Sequence, residues 1–190
     1  MLTRHREAGQ AFPIYITVVA GLLFLAFAYF VVGEYADQRN GAQGAADAAA
    51  LAAAQDARDQ IVDELLGPKL PENWVELILG RGFETGAACD IADDYAQKND
   101  SDSNGCNPYY GQYWGFTVGV KTKKTIGDSV IPGTADKKGE AKARAVVVPE
   151  CSLSGAKLDC DGMASLIDPD DLGSVPDLAD LFTVRLIDAN

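Results

Sequence analysis

The side chains with the widest chemical reach are four cysteines, Cys89, Cys106, Cys151 and Cys160, and a run of oxygen-bearing residues between the first two. Cysteines form disulfides, hold metals or act as nucleophiles, and their spacing narrows the choice. No Cys-x-x-Cys pair is present, so the ligand spacing of structural zinc sites is missing. The four cysteines allow three disulfide pairings. The two shortest loops, Cys89–Cys106 and Cys151–Cys160, close at the least entropic cost and are the favoured pairs.

Asp100, Asp102 and Asn104, followed by Gly105, reproduce the first half of a calcium loop, with oxygens at alternate positions and a glycine for the sharp turn. The second half departs from the pattern, because Gly111 stands where the bidentate glutamate belongs. Calcium, if bound, is expected on Asp100, Asp102 and Asn104, and weakly; no other cofactor is expected. Catalytic material is sparse. His5 is the only histidine and lies near the N-terminus, so no Ser-His-Asp or Cys-His pair is expected in the rest of the chain. There is no glycine-rich phosphate loop. The pairs Asp93-Asp94 and Asp170-Asp171 have the residue types for glycoside hydrolysis, but among 28 acidic residues such neighbours arise by chance. A non-enzymatic protein is expected.

These residues need a scaffold, and hydropathy shows how it is anchored. From Ala8 to Gly33 there is no charged residue. The apolar run from Phe12 to Val32 reaches about 31 Å as a helix, the thickness of a bilayer's hydrocarbon core. Tyr15 and Tyr29 lie toward its ends, where aromatic residues favour interfaces, and Pro13 falls where a helix tolerates a missing N–H. The run is too long for a signal-peptide core. Arg4 and Arg6 precede it, while Glu34 and Asp37 follow. The positive-inside rule then places residues 1–12 in the cytoplasm, a transmembrane helix over 13–33 and the remainder outside, where disulfides form. The formal net charge of −12 repels nucleic acid and anionic lipid headgroups at long range, so no nucleic-acid partner is expected.

Residues 34–66 are rich in alanine, the strongest helix former, and Gly67-Pro68 supplies a stop. The span is therefore expected to continue into a helical stalk. Gly21 and Ala28, then Ala42, Ala46, Ala49 and Ala53, recur at helical spacing as a small-residue stripe on which another helix can pack closely. Residues 67–190 are expected to form an extracytoplasmic domain. Within it, residues 74–79 suggest a short helix, and Cys89 to Cys106 encloses a polar stretch. Trp114, Phe116, Val118 and Val120 alternate with polar or small residues as in a half-buried strand, and 141–148 and 181–187 suggest two more. The fold class is thus α+β: a long N-terminal pilin-like helix followed by a small β-rich, disulfide-containing domain.

The order Gly9-Gln10-Ala11, apolar helix, Arg39-Asn40-Gly41-Ala42-Gln43 and the alanine block with Asp47 and Leu51 over residues 45–54 resembles the TadE/TadG-like proteins of tight-adherence (Flp-type) pilus systems, especially their actinobacterial TadG-related branch. The resemblance covers about residues 8–60. It implies a minor pilin-like or accessory protein of pilus assembly, with the membrane and other pilus proteins as partners through the N-terminal helix, and a place at the cell membrane or in a surface fibre. Some relatives are cut after a glycine and carry glutamate five residues on; here Gly9 is followed at that distance by Ile14. The missing carboxylate suits an accessory role better than that of a main filament subunit. The alternative from residues alone is a membrane-anchored extracellular binding or sensor module unrelated to pili.

Overall fold

The computed structural model describes residues 11–67, 69, 71–79, 86–125, 127, 133, 135–154, 157–160 and 178–189. His5, Gly9 and the Asp170-Asp171 pair lie outside the described residues. The fold is α+β, with a long N-terminal helix followed by an antiparallel sheet domain holding two disulfides.

Helix α1 spans Ala11–Leu65 without interruption. Its two halves are helical for different reasons. The first is apolar on every side, so nothing in its own sequence favours one face. The second is held by alanine propensity and by burial. Leu66 still donates to the Val62 carbonyl at 2.9 Å, and Gly67 to Glu64 at 3.2 Å, closing the last turn where the chain leaves the axis.

A short helix α2, Trp74–Ile78, follows and buries Leu77 and Ile78. Helix α3, Gly86–Lys98, buries Ala88, Ala92 and Ala96, one per turn on a single face. Strand β1 (Ser101–Tyr110) begins directly after it. Asp100 makes the junction in the left-handed region, at φ 53°, a conformation that aspartate tolerates better than most residues. The remaining strands are β2 (Trp114–Thr122), β3 (Glu140–Pro149), β4 (Cys151–Ser154), β5 (Lys157–Cys160) and β6 (Phe182–Ile187). A four-stranded antiparallel sheet has the order β1-β2-β3-β6, and β4-β5 forms a separate hairpin.

Register sorts the side chains onto two faces. Trp114, Phe116 and Val118 stand opposite Val147, Ala145 and Ala143, and all six are buried toward the helices. The opposite face carries Thr117 beside Arg144. There the Arg144 guanidinium donates to Thr117 Oγ1 at 2.9 Å, donates to the Asp188 carbonyl at 3.1 Å and lies over the Tyr109 ring at 4.1 Å. Gly115 stays glycine because a Cβ there would collide with the Ala145 carbonyl across the strand pair.

The core lies between the sheet, α3 and the second half of α1. Ala42, Ala46, Ala49, Ala53 and Ala57 are all 0% exposed. Their spacing makes a stripe along α1 against β2, β3 and α3. Large sheet side chains such as Phe116 meet small helical ones, and alanine on both α1 and α3 permits close backbone approach. The segment expected as a stalk over 34–66 therefore divides. Its described residues up to Gly41 are mostly exposed, while from Ala42 onward the helix is the central element of the domain.

Both disulfides follow the short-loop pairing. Cys89–Cys106 ties α3 to β1 across a sequence separation of 17, and Cys151–Cys160 closes the β4-β5 hairpin across 9. No cysteine is free.

Candidate functional site

The feature that the domain does not use is the first half of α1. Phe12, Ile14, Leu22, Leu23, Phe24, Leu25, Phe27 and Phe30 all project into open surroundings, Phe24 with 73% of its surface exposed. Mean hydropathy over the most apolar stretch is 2.4, and none of that stretch is buried within the chain. It is the one helix among the described residues that is long and apolar enough to cross a membrane. Water is a poor medium for such a surface, since each large apolar side chain left exposed forgoes about 1.5–3 kcal/mol of burial. Thr17 fits an apolar medium because its hydroxyl returns to the helix, donating to the carbonyls of Ile14 at 2.9 Å and Pro13 at 3.0 Å.

The small-residue stripe is split by the fold. Gly21 and Ala28 lie on the exposed half, and a Cβ added at Gly21 would meet nothing within 4 Å. Ala42, Ala46, Ala49 and Ala53 are packed inside the chain's own domain. The spacing pointed to another helix as partner, and one is present, but it is α3 of the same chain together with the sheet. A stripe marks where close packing occurs and carries no information on whether the partner is covalently continuous. Asp47 within the block accepts from Gln43 Nε2 at 2.8 Å, a pairing along one helix.

The half calcium loop is not a loop. Asp102 and Asn104 lie in β1, and Gly105 follows a register shift in the β1-β2 ladder instead of making a turn. An extended strand does not curl successive oxygens around one ion as a calcium loop does. The Asp100 carboxylate stands 4.0 Å from Lys124 Nζ. Among the described residues, no group of three or more His, Cys, Asp and Glu side chains is placed to hold a metal. Asp94, of the Asp93-Asp94 pair, forms an ion pair with Lys98 at 2.6 Å on the exposed face of α3. Its hydrogen bond and then its charge raise the Lys98 pKa above the ordinary lysine value.

Where the bare helix enters the domain, two grooves flank α1. One, of about 590 Å³, runs between Arg39, Gln43 and Asp47 of α1 and the β3 and β6 ends around Lys142 and Ile187. The other, of about 340 Å³, lies between Tyr35, Gln38 and Arg39 and the chain leading into β3, Lys138 to Glu140. Gly139 makes the second junction tight, because any Cβ there would collide with the Gln38 carbonyl. Its amide also donates to Thr122 Oγ1 at 2.9 Å, fixing the β2-β3 connection against the helix. Sequence reading missed this junction; the only available signal was a glycine following two lysines.

Residues 9–56 match the family described as Putative Flp pilus-assembly TadE/G-like. The matched segment contains the exposed apolar half of α1 and the first turns of its buried alanine half. No curated protein and no solved structure matches the chain.

Proposed function

We propose that this chain is a membrane-anchored, minor pilin-like or accessory protein in the assembly of a Tad (Flp-type) pilus, and that it acts without catalysis. The observation that carries the reading is the coincidence of the family match at 9–56 with an apolar helix that the chain leaves uncovered. Residues 13–33 cross the membrane, with the N-terminus in the cytoplasm and the sheet domain outside. The oxidising side suits the two disulfides.

The division of α1 gives this role a mechanism. The exposed half is free to pack against lipid or against helices of other pilus proteins, where Gly21 and Ala28 allow close approach. The other half is rigidly built into the sheet domain, so a force or displacement on the membrane helix passes to the domain through one continuous helix. Ile14 in place of a pilin-type glutamate means that no buried carboxylate requires an N-terminal partner in a filament, which favours an accessory role.

Deleting the gene in a fibre-producing strain and counting surface fibres tests the proposal. Fibre number or length is expected to fall and to recover on complementation with the full chain. Fibres unchanged in number, length and composition would refute it.

A further inference from the structure

The junction groove between α1 and the start of β3 has the position and charge to hold a lipid headgroup. If 13–33 spans the membrane, as proposed above, Gln38 and Arg39 lie about 8–9 Å beyond Gly33 along the helix. The polar headgroup layer extends roughly 5–8 Å beyond the hydrocarbon core on each side, so this groove sits at its outer edge. Gly139 abuts the Gln38 carbonyl and so brings Lys138 to the same level.

The groove's charges favour an anion. Arg39 and Lys138 line it, with Tyr35 exposed beside them. Glu140 is the carboxylate that lines it, and Lys121 Nζ holds that group at 2.7 Å. No ion pair among the described residues engages Arg39 or Lys138. Lys138 is half-buried, the adjoining Lys137 is exposed, and Asp136 is the nearest acid before them. The net charge of −12 opposes approach to an anionic surface at long range. That objection loses its force once the helix holds the groove at the surface, because contacts inside about 8–10 Å escape most screening and act locally.

We infer that the groove between Tyr35, Arg39 and Lys138 binds the phosphate of an anionic phospholipid headgroup, and so fixes the height and tilt of the domain above the membrane. Arg39 supplies a planar fork suited to phosphate oxygens, and Lys138 a point charge on a flexible stem. Tyr35 places an amphipathic ring at the interface.

The test uses the full chain in nanodiscs of zwitterionic lipid, with and without phosphatidylglycerol. Amine acylation followed by peptide mass spectrometry reads the exposure of Lys138, with Lys69, beyond the far end of α1, as the internal reference. Phosphatidylglycerol is expected to slow acylation of Lys138 roughly fivefold relative to Lys69. Arg39→Gln is expected to remove most of that protection, and Lys98→Gln to leave it intact. Entry into the discs without selective protection overturns the inference while leaving the anchor reading standing. Equal protection by inorganic phosphate in zwitterionic discs also overturns it, by assigning the groove to a free anion. Failure to enter discs of either kind overturns the anchor reading, and the groove assignment with it.

Discussion

Replacing Ala46 and Ala49 by leucine separates the two roles that a small-residue stripe can have. Both alanines are fully buried within the domain core, one helical turn apart on α1. Leucine keeps the helix propensity within a few tenths of a kcal/mol, so any loss comes from packing. Overpacking of a buried site costs about 1–3 kcal/mol. For a chain of this size each kcal/mol lowers the melting temperature by about 2–4 °C, so one substitution is expected to lower it by about 2–12 °C. The two sites lie one turn apart in the same buried cluster, and the double variant will depart from additivity. Thermal unfolding of the full chain in nanodiscs, followed by circular dichroism, measures this. The control pair, Gly21→Leu and Ala28→Leu, lies on the exposed half and should leave the melting of the domain unchanged. Unchanged melting in the Ala46/Ala49 variant, with fibre assembly lost, would refute the packing argument and return the stripe to an intermolecular role.

Three further outcomes follow from the same contacts. Cys89→Ala with Cys106→Ala should cost about 3 kcal/mol for a loop of this length, read as a lower denaturant midpoint, and unreduced peptide maps of the parent should show only the Cys89–Cys106 and Cys151–Cys160 pairs. Arg144→Met removes the bonds to Thr117 and Asp188 and the stacking on Tyr109, and is expected to destabilise by about 1–3 kcal/mol in chemical denaturation. Lys121 holds the Glu140 carboxyl below the ordinary carboxylate range, first by its hydrogen bond and then by its charge. With the folded pKa depressed, the stabilisation is present above the unfolded value and fades as pH falls through the folded one. Lys121→Met should therefore move the Glu140 titration upward in NMR.

Strong periodicity and strong propensity made some elements legible. The alternation from Trp114 to Val120 marked β2, and the alanine block marked a helix that does continue from the apolar run. Loop length ranked the disulfide pairs as they are found. Helix α3 was read only as a polar stretch because its buried face is made of Ala88, Ala92 and Ala96, and alanine carries little hydropathy signal. Strand β1 contains Asn, Asp, Gly and Pro, residues that disfavour strands; its conformation comes from pairing with β2 and from the Cys106 tether, which are tertiary constraints. The same stretch imitated a calcium loop because oxygen spacing is visible in sequence while backbone curvature is not. The ownership of the alanine stripe was hidden for a similar reason: small residues at helical spacing predict a close neighbour, and only the folded chain shows that the neighbour is its own sheet and α3.

The claim most exposed to test is that the uncovered half of α1 works inside the membrane among pilus proteins. A photo-crosslinking amino acid at Phe24, introduced in fibre-producing cells, reports what surrounds the most apolar stretch of that helix. The proposed role predicts adducts with membrane lipid and with the membrane helices of other pilus-assembly proteins. Adducts confined to this chain's own sheet domain or to soluble proteins would contradict it.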